Sequence, residues 1–407
     1  MIRTHIVKCQ LDRATADNLN RASGYIYSHI VSTHWKLIKR KGLWLSERSM
    51  TRISDLRLAT RKLPLHAHSI DAAQQGFYRA CATVSSLRQA GVDAKFPYRN
   101  KRWRTTVWKN TAIKLANGII RLSNGRNGEP IEIKLPDHLG DILRVVEVRL
   151  VMDGKARCYT WHVVVENGKQ PKQPAGDNTV SVDLGEVHPA VVGDERETTI
   201  ITCRERRHQQ QGHAKRMAKL SRALARNRKG SRRYKRLVRA RARMRAKHKR
   251  VMRDIEHKVS RAIVDAAVER KASTIVIGDI RDAADEVNLG KQTNQKLSSW
   301  NHGQTRSFVE YKAEAEGITV VLQDEYHTTQ TCPACSFRHK PRGRLFRCPA
   351  CGFQSHRDVV GQINILSAFK FGAPGKIAAP ILIKHRMPHN LRLMGRCQDT
   401  GQSSRGL

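Results

Sequence analysis

Four cysteines, Cys332, Cys335, Cys348 and Cys351, fall in the pattern C-x2-C-x12-C-x2-C. Each Cys-x-x-Cys pair makes a tight turn that aims two thiolates at one point, and two such turns complete a tetrahedron. Pro333, Ala334, Pro349, Ala350 and Gly352 suit those turns. Between them "SFRHKPRGRLFR" carries a Pro-Arg-Gly hairpin and the strand-like Leu345–Phe346. The expectation is a structural zinc ion, Zn2+, on all four thiolates, with His339 and His356 as poorer-fitting competitors. Protein would close every position, so such a knuckle holds its own fold and does not itself catalyse.

Catalysis must therefore come from elsewhere, and three acids offer it. Asp183 closes the apolar run "VSVDLG", where a buried charge is costly unless a cation meets it. Asp358 opens "HRDVVGQINI", either as the N-cap of a helix or as a metal ligand. Glu325 ends "ITVVLQDE", seven residues before the first cysteine, as a solvent-facing strand terminus or as a third ligand. Carboxylates converging on one point would hold a pair of Mg2+ ions, which orient a water for attack on a phosphodiester. Glu186 reads as a turn residue and His188 as structural.

The elements that must position these groups are legible in outline. The 407 residues are enough for two or three domains. Lys and Arg number 76 against 35 Asp and Glu, a net charge of +41 that calls for a polyanion as partner. "MIRTHIVKCQL" has no apolar h-region, and no run of about 18 apolar residues suggests a membrane span. The other five cysteines are scattered, so the chain reads as cytosolic with one metal knuckle and no disulfide framework.

Residues 2–10 alternate as a strand, and 11–90 turn helical. From 94 to 165 the period drops to two, with Asn-Gly and Asp-Gly turn signals, which indicates a β-rich module, a barrel being the expected form. "NGKQPKQPAGDNT" (167–179) reads as a linker before an α/β region. Residues 204–253 hold 22 Lys and Arg and one acid, Glu205, which predicts an antiparallel helix pair on a phosphate backbone, broken at "NRKGS". "HKVSRAIVDAAVERK" predicts a further amphipathic helix. Trp103, Trp108 and Tyr98, interleaved with Arg and Lys, suit either base stacking or core packing.

The order "VDLG", basic helices, "IVIGD", two Cys-x-x-Cys pairs and "HRDVVGQINI" resembles the TnpB family. These are transposon-encoded RNA-guided DNA endonucleases, relatives of compact type V CRISPR effectors. "KFPYRNKRWRTTVWKN" (95–110) and "NQKLSSWNHGQTRSFVEYKAEAEGITVV" (294–321) extend the likeness over most of the chain. It implies an α+β multidomain fold: a wedge-like amino-terminal β-barrel (1–10 and 91–170) carrying a helical recognition insert (11–90). An RNase H-like (RuvC-like) nuclease domain (177–331 and 353–370) follows, with an inserted zinc ribbon (332–352) and a basic, disordered tail (371–407). It implies a guide RNA as cofactor, double-stranded target DNA as partner, and a cytoplasmic, nucleoid-associated protein acting as a monomer.

One departure matters. The family's second motif ends Glu-Asp, and here the strand ends Gly278-Asp279. Asp279 faces the other side of its strand and does not simply replace the missing acid. Either the protein is a nuclease-inactive RNA-guided binder, or another acid has moved in. The strand "ITVVLQDE" should lie beside "TIVIGD" with both carboxyl ends at one edge, so Glu325 is the expected third magnesium ligand with Asp183 and Asp358.

Overall fold

In this computed structural model the described residues are 1–53, 63, 65–125, 128–136, 139, 142–153, 158–280, 290–298 and 300–388. Two compact units meet in sequence between Lys169 and Gln170, inside the expected linker.

The first unit begins with strand β1 (Ile2–Lys8), then helices α1 (Arg13–Lys41), α2 (Glu47–Ile53) and α3 (Ala67–Gln89). Strands β2 (Thr106–Lys109), β3 (Ile113–Ala116), β4 (Ile119–Leu122), β5 (Ile131–Lys134), β6 (Arg144–Asp153) and β7 (Cys158–Glu166) follow. They form two antiparallel sheets, β1-β7-β6-β2 and β3-β4-β5. Among the described residues no ladder joins the two sheets, so the expected barrel is not closed here. The short strands β3 to β5, four residues each, leave few backbone groups with which to complete a ring. Asn117 and Gly118, both at positive φ, make the β3–β4 hairpin turn that the Asn-Gly pair announces.

Helix α1 is tied to the larger sheet by a buried asparagine. Asn20 Oδ1 accepts from the Thr106 N–H at 3.0 Å and its Nδ2 donates to the Leu150 carbonyl at 3.2 Å. Trp108 and Trp161 are fully buried, ring against ring, which decides for core packing at Trp108. Trp103 and Tyr98 stay exposed, Trp103 between the guanidinium groups of Arg21 and Arg102.

The second unit is built on a six-stranded mixed sheet. Its elements are β8 (Asn178–Asp183), β9 (Ala190–Gly193), β10 (Glu197–Ile201), helices α4 (Arg204–Ala225) and α5 (Arg232–Glu269), β11 (Ala272–Asp279), α6 (Lys291–Ser298), α7 (His302–Ala315) and β12 (Thr319–Asp324). Then come β13 (Leu345–Arg347), β14 (Gln354–His356), α8 (Arg357–Phe371) and β15 (Leu382–Arg386). The order across the sheet is β12-β11-β8-β9-β10-β15. Strand β9 runs antiparallel to both its neighbours, while β12, β11 and β8 are mutually parallel. The "ITVVLQDE" and "TIVIGD" strands therefore pair as expected, with Gly278 opposite Gln323 and Asp279 opposite Asp324.

Two expectations are corrected. The first half of the basic segment is the separate helix α4, while the second half, from Arg232, and most of "HKVSRAIVDAAVERK" form one 38-residue helix, α5, because no breaker separates them. Ser231 caps its start, its hydroxyl accepting from the Tyr234 N–H at 3.2 Å. The buried stretch from Met252 to Ala267 anchors this helix in the core, and the basic half before it stays largely exposed. The tail expected to be disordered from 371 is ordered as far as 388, where β15 adds to β10 in parallel; residues 389–407 lie outside the described residues.

One buried ion pair locks the helices to the loop after β8. Arg206 Nε donates to Glu256 Oε1 at 2.9 Å, with side-chain exposures of 3% and 0%. Arg206 Nη1 also donates to the Gly185 carbonyl at 3.1 Å, and the Thr305 hydroxyl donates to Glu256 Oε2 at 2.6 Å. Removing one partner strands a buried charge, which costs about 3–5 kcal/mol. Glu256→Ala should lower unfolding free energy by that order in a urea titration, whereas Lys258→Ala, on a more exposed pair, should change it by less than about 1 kcal/mol.

Candidate active site

The sheet topology collects acids at one rim. Asp183 is the last residue of β8, Glu325 follows the last residue of β12, and Asp358 lies in the first turn of α8. Because β8, β11 and β12 are parallel and in close register, their carboxyl ends finish at the same edge. The parallel sheet thus makes neighbours of Asp183 and Glu325, and the charge of Asp358 reaches Asp183 from the first turn of α8.

Helix α8 approaches this edge closely, and its residues explain how. A Cβ at Gly361 would sit 2.5 Å from Asp183 Oδ2, so only glycine permits the contact. Gln362 and Asn364 fasten the helix. The Ser181 hydroxyl donates to the Gln362 carbonyl and the Thr198 hydroxyl to Gln362 Oε1, both at 2.7 Å. Asn364 Nδ2 donates to the Thr328 and Thr331 carbonyls at 2.7 and 2.8 Å, which fixes the loop between Glu325 and the cysteines. A glycine inside a helical run was the available signal for Gly361.

Glu325 lies over Gly278. A Cβ at 278 would overlap the Glu325 carboxylate and stand 2.6 Å from its Cγ. The side chain at 325 therefore fills the space that a side chain at 278 would otherwise take. Its Oε1 is buried with no hydrogen-bond partner.

The electrostatics match that crowding. Burial, then the charges of Asp183, Asp279 and Asp324, push the Glu325 carboxyl up to about 9. Burial, then the charge of Asp358, push Asp183 up to about 7, against the opposing pull of Arg357 and Arg344. Asp358 has its own counter-charge, since Arg344 Nη1 stands 3.0 and 3.3 Å from its two oxygens. Two buried carboxyls without adequate cations, one with an orphaned oxygen, are a donor set suited to hard divalent ions.

The cysteines gather as well. Their four Sγ atoms all lie within 4.8 Å of one another. Cys332 to Cys351 is 3.7 Å and Cys335 to Cys348 is 3.5 Å. Tetrahedral thiolates at about 2.3 Å from a zinc ion stand roughly 3.8 Å apart, so the geometry fits such an ion. Strands β13 and β14 form the hairpin that supports it, and Phe346 packs beside Cys332 and Cys348. His339 and His356 are not part of this cluster. His356 instead lies with His188 and Asp358, one potential ligand atom from each within 4.8 Å of the others. Glu186 is 3.5 Å from Arg207, and Lys340 and Arg342 are exposed on the ribbon hairpin.

The raised carboxyls set a pH dependence. A carboxyl whose folded pKa exceeds its unfolded value binds more protons in the folded state, so stability falls as pH rises. For the metal-free chain this loss runs from about 4, the unfolded value, to about 9. The melting temperature of Asp183→Asn/Glu325→Gln should decline less than that of the unsubstituted chain between those limits. Added magnesium should raise only the latter's melting temperature at the alkaline end.

Known proteins share these segments. Residues 162–284, which include Asp183, match the OrfB_IS605 family model, described as probable transposase. Residues 302–365, which include Glu325 and Asp358, match the TNB domain of Cas12f1-like proteins. A TnpB-like protein of Methanocaldococcus jannaschii is 31% identical over 121 residues, 29% of this chain and 43% of that protein. A CRISPR-associated endodeoxyribonuclease Cas12f1 of Sulfoacidibacillus thermotolerans is 30% identical over 112 residues, 27% of this chain and 25% of that protein. The alignments thus span less than half the length of these curated relatives. A Cas12f1 solved with sgRNA and target DNA shares the fold with a TM-score of 0.62 at 14% identity, covering 87% of this chain and 83% of that one. The chain thus resembles TnpB-like and Cas12f1-like proteins over these segments, and a Cas12f1 in fold.

Proposed function

We propose that the chain is an RNA-guided DNA endonuclease that binds a transposon-derived guide RNA and cleaves complementary DNA beside a short motif. The observation that carries this reading is Glu325, seated over Gly278 with an orphaned oxygen and raised by burial, then by the charge of Asp183. In it Asp183, Glu325 and Asp358 are the catalytic ligands. Magnesium ions bound there, a pair in this reading, would polarise the scissile phosphodiester, activate the attacking water and stabilise the leaving oxygen. Gly278 leaves room for the Glu325 carboxylate, and Gly361 lets α8 bring Asp358 close to Asp183. Arg344 balances Asp358 until a cation does.

The strand order β10-β9-β8-β11-β12 with β9 reversed supports an RNase H-like, RuvC-like nuclease domain over 177–331 and 353–370. The cysteine cluster supports a zinc ribbon at 332–352, and the two antiparallel sheets support a wedge-like module from 1–10 and 91–170 around a helical insert at 11–90. The basic faces of α4 and α5 suit the phosphates of a guide–target heteroduplex, in which base pairing selects the sequence. A cytoplasmic, nucleoid-associated monomer follows from the same reading.

A nuclease-silent RNA-guided binder is the alternative that Gly278 alone would favour. Glu325 argues against it, because the acid lost from β11 is matched by one delivered from β12.

Protein purified with its RNA, given magnesium and a plasmid bearing the matched target, should cut it. Asp183→Ala, Glu325→Ala and Asp358→Ala should each slow cleavage on the order of 100-fold or more, the several kcal/mol of metal charge stabilisation expressed as rate. Gly278→Ala should cost as much by displacing Glu325, and Gly278→Glu combined with Glu325→Gly should restore part of the rate. Full cleavage by Glu325→Ala would remove this acid from the centre, and no cleavage by the unsubstituted complex would favour the silent binder. The cysteine cluster of the purified chain should carry one zinc ion, lost in Cys348→Ser together with the thermal stability of the ribbon.

A further inference from the structure

Beside Asp358 lie two imidazoles that hydrolysis by magnesium does not use. His188 sits in the loop between β8 and β9, His356 ends β14, and Asp358 lies two residues on. The two rings stand 5.4 Å apart at 74°, edge towards face. One nitrogen from each and a carboxylate oxygen come within 4.8 Å of one another, so a small inward shift of the side chains brings them around one ion.

The loop that carries His188 is built firmly. The Gly185 N–H donates to the Pro189 carbonyl at 3.3 Å, and the Gly185 carbonyl accepts from the buried Arg206. A Cβ at Gly185 would lie 2.5 Å from the His188 carbonyl oxygen, so the tight path of the loop requires glycine. Yet the ring it presents has a buried Nδ1 with no partner. Buried polar atoms ordinarily find hydrogen bonds, and one that does not calls for an explanation. His356 has a structural task, since its Nδ1 accepts from the Asp358 N–H at 3.2 Å and caps α8. Capping explains His356 and leaves His188 unexplained.

We propose that His188, His356 and Asp358 form a second divalent site, selective for a transition-metal ion over magnesium. Two imidazoles and one carboxylate are the donors that suit ions of the manganese-to-zinc series, while magnesium takes oxygen donors and water. Binding exchanges the long cap contact at His356 Nδ1 for a coordinate bond and gives the His188 ring the partner it lacks. Arg344 is the competitor, because its guanidinium already holds Asp358, and Arg357 and His385 add positive charge nearby. The site shares Asp358 with the proposed catalytic trio, but its occupancy does not require that trio to cleave DNA.

The test is a cobalt titration of the full chain with the cysteine cluster preloaded with zinc, in a Glu325→Gln background that disables the carboxylate trio. Visible d–d absorption should report one saturable Co2+ per chain. His188→Ala and His356→Ala should each weaken it at least about tenfold, and Arg344→Ala should tighten it. Magnesium in large excess should displace little of the cobalt. Circular dichroism checks folding; if His356→Ala loses the helix cap and unfolds, His188→Gln carries the same comparison. Absence of saturable binding, or equal affinity with and without the imidazole at 188, would overturn the proposal. Cleavage assays on Glu325-containing protein fail or succeed separately, so the two readings do not fall together.

Discussion

Like charges at close quarters are the constraint around which the second unit is organised. Asp183 and Glu325 are brought to one sheet edge where burial, then neighbouring negative charge, opposes ionisation of both, and Asp358 supplies part of that charge to Asp183. A fold that assembles such a cluster must hold it with contacts made elsewhere, and the surrounding bonds do so. The Arg206–Glu256 pair fixes the loop after β8, Gln362 fixes α8 to the sheet, and Asn364 fixes the segment leading to the cysteines. None of these groups needs to touch a substrate. Their work is to hold in place the elements that carry Asp183, Glu325 and Asp358.

Glycines do the complementary work of removing obstacles. Gly361 lets a helix approach Asp183, Gly278 makes room for Glu325, and Gly185 permits the turn that presents His188. Each is a place where a single methyl group would collide with another functional group. The exchange at 278 and 325 is a physical trade across two paired strands. The end of β11 carries no side chain at 278, and the Glu325 carboxylate just beyond the end of β12 occupies that patch of space. Parallel pairing makes this possible, since the two ends lie side by side and point the same way.

The metal-ligating clusters divide by hardness. Four thiolates from two turns offer a soft, closed donor set, and His188, His356 and Asp358 offer a mixed set of two imidazoles and a carboxylate. The zinc-type cluster and the carboxylate rim are joined through α8, whose first turn carries Asp358 and whose N-cap, His356, ends the ribbon hairpin. Arg344, beside strand β13, reaches the same carboxylate. The ribbon therefore bears directly on the charge balance at the rim.

The sequence by itself determined whatever depends on local spacing or composition. The two Cys-x-x-Cys turns, the Asn117-Gly118 hairpin, the Ser231 cap and the polyanion-seeking charge were all legible, because each is written within a few residues or in bulk counts. The parallel pairing of "TIVIGD" with "ITVVLQDE" was legible through the resemblance of the motif order. Tertiary structure alone decided the rest. The barrel was not readable, because alternation marks strands without saying which ladders close. The fusion of the second basic helix with the one after it into α5 rested on the absence of a breaker, although the composition changes there. The strand β15 looked like tail because its pairing partner, β10, lies nearly two hundred residues earlier. His188 looked structural for the same reason: its neighbours His356 and Asp358 are distant in the chain, and only folding brings their lone pairs together.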